Sequence, residues 1–294
     1  MSFLSGFIAI IGPPNVGKST LLNRIMGTKL AIVSSRPQTT RNRITGIYHG
    51  DGFQMVFMDT PGIHKTKSAL HESMVESALA TPQEVDLVLL VIEMQRPDDP
   101  EIPSVAVNLK KIKKPCMLVI NKIDMFPKEQ LLPFIDNLRQ THPFDAIIPV
   151  SALKGDGVGT LLEELKSRLK PGPRFFPEDM NTDRTEAFLV SEIIREKIYF
   201  HMRQELPYSS AVTVDKIEEI PDRNLLSIAA RIHVETESQK GILIGQKGRM
   251  VKAIGRSARL ELEKMFSMRV FLDLKVRVEK NWTKDPKALN RLGY

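Results

Sequence analysis

Short apolar runs separated by amphipathic stretches fill the first 170 residues of the chain. "FIAII", "QMVFM", "DLVLLVI", "CMLVI" and "AIIPV" are unbroken branched and aliphatic runs, the pattern of strands covered on both faces. Between them "SVAVNLKKI" and "GTLLEELKSRL" repeat apolar residues at helical spacing. Strand alternating with helix predicts a mostly parallel sheet with helices on both faces. The pattern stops at "KPGPRFFPEDMNTD", whose prolines, glycine and polar residues read as a linker. Beyond it the order changes. A helix around Arg184 to Gln204 precedes strands "SAVTVDKIEEI" and "LLSIAARIHVE", a helical segment holding "KGILIGQKGRMVKAIG", and a strand "RVFLDLKVRV" whose alternation predicts one solvated face. The stretch "VSSRPQTTRNRITG", residues 33–46, has no clear period and reads as a polar loop. The expected layout is an α/β domain over 1–170, a linker over 171–183, an α+β domain over 184–282 and a tail over 283–294.

Composition narrows the class. At 294 residues, 42% apolar and 26% charged, the chain can build one large or two medium cores. A single cysteine excludes an intrachain disulfide framework, and Cys116 inside "PCMLVI" reads as a small buried hydrophobe. The start "MSFLSGFIAIIG" reads as a first strand rather than a signal peptide, and no apolar run approaches the length of a membrane span. A soluble, cytoplasmic chain is expected. Net charge is +7, but residues 238–294 carry 14 Lys+Arg against 5 Asp+Glu, whereas 181–237 carry 7 against 11. Positive charge concentrated in the last fifth suits a polyanionic partner.

The first glycine-rich stretch carries specific chemistry. Gly12, Pro13, Pro14, Asn15, Val16, Gly17, Lys18 and Ser19 match G-x-x-x-x-G-K-[ST], after a predicted strand and before a predicted helix that continues through Thr20. Loop N–H groups would wrap phosphates, Lys18 would reach the β and γ oxygens, and Ser19 would ligate magnesium. "NKID" follows the strand "CMLVI" and places Asn121, Lys122 and Asp124 at a carboxyl edge, where open α/β sheets bind ligands. The Asp124 carboxylate can accept from guanine N1–H and N2 together; adenine offers neither donor, which would leave a buried charge unpaired. In "DTPG", Asp59 can hold magnesium through water and the Gly62 N–H can meet a γ-phosphate. In "SALKG", which begins at the expected site residue Ser151, Ala152 and Leu153 can direct backbone N–H groups at the guanine oxygen. Within 33–46 a threonine that closes over magnesium and the γ-phosphate is expected at Thr40, with Thr39 the alternative. Lys18, Thr40 and Gly62 are the expected catalytic set.

A second loop, Gly245-Gln246-Lys247-Gly248, admits two readings. A plain helix–turn–helix corner needs glycine only for the turn. A clamp for single-stranded RNA also needs basic residues and an apolar floor. Lys240, Lys247, Arg249 and Lys252 supply the first, and Ile242, Ile244, Val251 and Ile254 the second. Phe266 and Phe271, the nearby aromatics, read as core. The tail, with Trp282, Lys284 and Lys287, either extends the groove or packs on the domain.

"GPPNVGKST", "QTTR", "DTPG", "NKID" and "SAL", in this order, resemble the Era family of GTPases, and the G-x-x-G segment resembles a type II KH domain. The resemblance implies a P-loop GTPase domain followed by a KH type II domain, hydrolysing GTP to GDP with Mg2+. It further implies binding to the 3′ end of small-subunit ribosomal RNA during small ribosomal subunit assembly, peripheral contact with the inner face of the cell membrane, and K+ held near Asn15. Ile63 stands where Ras-like GTPases carry a water-orienting glutamine, so a slow intrinsic rate raised by a partner is expected. Arg36 and Arg41 could serve as arginine fingers in cis but read as solvated arginines, and the expected form is a monomer. Two other classes fit parts of the pattern: a small-molecule kinase or ATPase, disfavoured by "NKID", and a membrane-associated GTPase whose basic C-terminal module binds protein or lipid.

Overall fold

A computed structural model describes residues 2–33, 41–59, 85–94, 114–140 and 143–294. They fall into two compact units: the second takes residues 184–294 together with Ile32 and Val33, and the first takes the other described residues.

In the first unit β1 (Leu4–Ile11), β3 (Phe53–Asp59), β4 (Leu87–Glu93), β5 (Cys116–Asn121) and β6 (Ala146–Pro149) are parallel, in the order β3-β1-β4-β5-β6. The apolar runs of β3, β4 and β5 are buried almost throughout, as strands covered on both faces must be. Helices α1 (Lys18–Met26), α2 (Leu131–Arg139) and α3 (Val158–Lys166) each bury one stripe, for example Leu21, Leu22 and Ile25 on α1. Cys116 is buried, and burial followed by the neighbouring Asp145 charge pushes its thiol up to about 12, consistent with a packing role.

One strand falls partly inside the stretch expected to be a loop. β2 (Ile44–Gly50) pairs antiparallel with β3 at the sheet edge, Ile44 opposite Asp59. Thr45, Gly46 and His49 interrupt its apolar alternation, so the pairing rests on backbone bonds that leave no hydrophobic pattern. Past α3, β7 (Lys170–Pro171) pairs antiparallel with β1, and the chain then stays on this sheet. Gly172 N donates to Phe3 O (3.0 Å), Ile47 N donates to Asn181 O (2.9 Å), and the rings of Phe175 and Phe7 lie 4.7 Å apart.

The second unit runs α4 (Glu186–His201), β8 (Ala211–Ile220), β9 (Leu225–Val234), α5 (Glu237–Ile244), α6 (Arg249–Phe266) and β10 (Arg269–Val278). β8 and β9 are antiparallel, whereas β10 lies parallel to β9, a pairing that requires the helical crossover through α5 and α6. Thr185 caps α4 by accepting from Phe188 N, and Thr236 with Gln239 forms a capping box on α5. Ile194 and Ile198 of α4, Ile228 and Ile232 of β9, and Ile254 and Leu262 of α6 form one core. The tail packs on this unit. Trp282 is fully buried, donates from Nε1 to Ser209 O (3.1 Å) and stacks on Tyr294 at 5.6 Å, and the short helix α7 (Pro286–Arg291) buries Ala288 and Leu289. No helix among the described residues is long and apolar enough to cross a membrane.

Trp282→Ala should destabilise the C-terminal unit by about 3–5 kcal/mol in chemical denaturation. Circular dichroism is the readout, since Trp282 is the single tryptophan; a loss below about 1 kcal/mol would mean the tail contributes nothing to this core.

Candidate functional site

The glycine-rich loop spans the gap between Ile11, where β1 ends, and Lys18, where α1 begins. Gly17 sits at φ 94°, and a Cβ there would lie 2.3 Å from Asn121 Nδ2. No side chain is tolerated at that approach. Asn121 uses the space: its Nδ2 donates to Val16 O (2.8 Å) while its Oδ1 accepts from Ala152 N (2.9 Å). One buried amide therefore ties the phosphate loop to the two base-side loops. Lys122, itself at φ 62°, donates from Nζ to Asn15 O (2.8 Å) and pairs with Glu93. Asp124 Oδ1 accepts from Ser151 Oγ (2.7 Å). Arg24 Nε donates to Ala152 O (3.0 Å), and its NH2 group donates to Leu153 O. The fold thus brings together the residues expected to hold one guanine nucleotide. Glu93 and Arg24 escaped the sequence reading; the only signal was a lone carboxylate closing the apolar run of β4.

At the phosphate end Lys18 is buried and donates to Gly12 O (2.9 Å) and Pro13 O (2.7 Å). Ser19 Oγ donates to Asp59 Oδ2 (2.7 Å). Asp59 is fully buried, and its Oδ1 has no hydrogen-bond partner among the described residues. Burial pushes this carboxyl up to about 6 against the opposing pull of the Lys18 charge and the Ser19 hydroxyl. An open carboxylate oxygen beside a serine hydroxyl is a hard-oxygen pair suited to a divalent cation such as magnesium. Thr39, Thr40, Gly62, Ile63 and Arg36 lie outside the described residues. Arg41 is 4% exposed, not solvated as expected.

The second loop joins α5 to α6. Gly245 has φ 69°, and a Cβ there would approach Met250 Cβ to 2.8 Å; Gly248 has φ 75°. Gln246, Lys247, Arg249 and Lys252 are exposed, Ile244 is half-buried, and Lys240 lies 3.7 Å from Glu237. No acidic residue occupies the first turn of α6, so nothing on that turn would oppose an anion at its N–H groups. Alongside runs a groove of about 390 Å3, lined on α6 by Val251, Lys252, Gly255, Arg256 and Arg259 and on β10 by residues 270–272 and Leu274. Two expectations need correction. Ile254 is core rather than groove floor, because α6 turns Ile254, Ala258 and Leu262 inward at helical spacing. Phe271 is not core: it is 58% exposed and lines the groove, as an edge strand allows. Arg256 and Arg259 were missed, although with Lys252 they recur at intervals of four and three.

A nucleotide loop, a guanine-reading N-K-x-D and a helix–strand–strand–helix–helix–strand unit with a basic G-x-x-G loop define a P-loop GTPase joined to a KH module. Family models agree: one described as a 50S ribosome-binding GTPase matches residues 7–122, and a KH domain model matches residues 205–283. GTPase Era of Syntrophus aciditrophicus is 53% identical over 99% of this chain and 95% of its own length, and that of Geobacter metallireducens is 51% identical over 99% and 98%. Two solved Era structures, each 40% identical, superpose with a TM-score of 0.94. One, from Aquifex aeolicus, is a variant bound to GDP and AlF4−, covering 100% of this chain and 99% of that one; the other, in complex with MgGDPNP and nucleotides 1506–1542 of 16S ribosomal RNA, covers 99% of each. The chain belongs to the Era family of GTPases, and magnesium accompanies its nucleotide.

The raised pKa of Asp59 makes the nucleotide-free protein sensitive to pH. The protonated carboxyl is favoured on folding, so this contribution is fully present below about 3.8 and is lost as pH rises through about 6. Asp59→Asn, neutral at every pH, should therefore stabilise nucleotide-free protein by on the order of 2 kcal/mol at pH 7.5 and by little at pH 4. Equal effects at both pH values in urea titrations would show that the carboxylate is not desolvated.

Proposed function

We propose that this GTPase binds the 3′ end of small-subunit ribosomal RNA through its KH unit and acts in assembly of the small ribosomal subunit, working in the cytoplasm. The observation that carries the reading is the groove between α6 and β10, where Lys252, Arg256 and Arg259 flank an apolar floor beside a G-x-x-G loop. Cations along one edge track a phosphate backbone, and the floor with Phe271 receives unstacked bases. Lys240, Ile244, Gln246, Lys247 and Arg249 extend the contact around the loop. On the nucleotide side, Gly12 to Thr20 with Lys18 and Gly62 hold the phosphates, Ser19, Thr40 and Asp59 serve the magnesium ion, and Asn121, Lys122, Asp124 and Ser151 to Leu153 hold the base.

Potassium completes the phosphate end in this reading. Asn15, exposed at φ 64° with its carbonyl already engaged by Lys122, leaves its side chain available to the phosphates and a monovalent cation. Replacing K+ by Na+ should slow single-turnover hydrolysis by about tenfold or more, and Asn15→Ala should remove the difference; a rate indifferent to the cation would exclude it.

The RNA reading is tested by titrating a single-stranded RNA carrying the small-subunit 3′ sequence at several salt concentrations. Arg256→Ala and Lys252→Ala should each weaken binding and lower the slope of log K against log salt by about 0.7. No RNA affinity, together with binding to anionic vesicles, would instead make the C-terminal unit the lipid-binding module of a membrane-associated GTPase.

A further inference from the structure

The segment between the two units is not a free tether. Gln54, fully buried on β3, accepts at Oε1 from Phe175 N (2.9 Å) and Phe176 N (3.1 Å) and donates from Nε2 to Phe176 O (2.8 Å). One side-chain amide thus stands in for a strand partner. Further along, His49 Nε2 donates to Met180 O (2.8 Å) and Ile47 N donates to Asn181 O (2.9 Å). At the far end Thr45 is bonded twice: its carbonyl accepts from Thr182 Oγ1 (2.7 Å) and its hydroxyl donates to Asp183 Oδ2 (3.0 Å).

Thr45 occupies a telling position. It lies five residues after Thr40 in the chain, and its neighbour Ile44 pairs with Asp59, the carboxylate bonded to Ser19 of the phosphate loop. Two residues after Asp183 comes Thr185, the N-cap of α4 and the first fixed point of the KH unit. A path of hydrogen bonds, one ladder pair and short lengths of chain therefore runs from Ser19 through Asp59, Ile44, Thr45 and Asp183 to the start of α4. Magnesium beside the γ-phosphate is expected at Ser19 and Asp59, so a displacement of the β2 edge would reach the strap through Thr45.

We infer that residues 172–183 are a coupling strap, latched at Thr45, that transmits the nucleotide state from the β2 edge to the KH unit. The inference rests on the RNA-binding reading only for its consequence; the latch itself is read without RNA. In full-length protein, hydrogen exchange of residues 44–50 and 172–183 should differ between GDPNP and GDP, and Thr45→Val should remove the difference while both nucleotide affinities stay within about twofold. RNA affinity should differ between the two states by about tenfold, within the usual range of allosteric coupling, and Thr45→Val should reduce this to about twofold or less. Thr45→Ser, which keeps the hydroxyl, should restore it. Thr182→Val cuts the same latch from the strap side if Thr45→Val folds poorly. Identical strap exchange in both states, or an undiminished affinity ratio in the latch variants, overturns the strap. State-dependent exchange without any RNA affinity leaves the strap standing and removes the RNA reading instead.

Discussion

The buried side-chain amide of Asn121 is the contact on which the nucleotide site depends. Its donor end holds the Val16 carbonyl and its acceptor end takes the Ala152 N–H, so three loops from distant parts of the chain share one rigid group. An aspartate could not donate to Val16, and a shorter polar side chain could not span both partners. The requirement for glycine at 17, the left-handed turn at Lys122 and the seat of Asp124 against Ser151 all surround that amide. The parallel sheet supplies its rigidity, since Asn121 is the last residue of a fully buried β5.

How much of this was legible in the sequence follows from what each residue touches. Where side chains address a ligand of fixed geometry, the residues are nearly dictated: the phosphate loop, N-K-x-D and the G-x-x-G loop could be read directly, and the apolar runs located the parallel strands. Where a side chain addresses backbone, little is written in the pattern. Gln54 and Thr182 are ordinary polar residues whose side chains bond amides and carbonyls far away in sequence, and the Thr45 hydroxyl reaches an equally distant Asp183, so the strap read as a linker. β2 was lost for the same reason. Phe271 was misread because an aromatic ring reads as core by residue type, although strand alternation already groups it with Arg269, Asp273 and Lys275 on the solvated face.

The two glycine-rich loops solve related problems with different neighbours. The first is braced by Asn121 and Lys18, both buried, and so presents a preorganised cradle to a small, highly charged ligand. The second is flanked by exposed Lys247 and Arg249 and opens onto a longer groove, which suits a polymer whose phosphates repeat and whose bases need apolar seats.

The lone Oδ1 of Asp59 has a consequence for the protein's persistence. A site carrying a desolvated acid leaves the empty fold less stable, so nucleotide with its metal becomes part of the folding equilibrium by mass action. A ligand at a hundredfold excess over its dissociation constant adds about 2.7 kcal/mol, a sizeable share of a typical domain's margin. By mass action, nucleotide that binds only the folded chain draws the population away from open, protease-accessible states, so occupancy of the site bears on persistence as well as on switching.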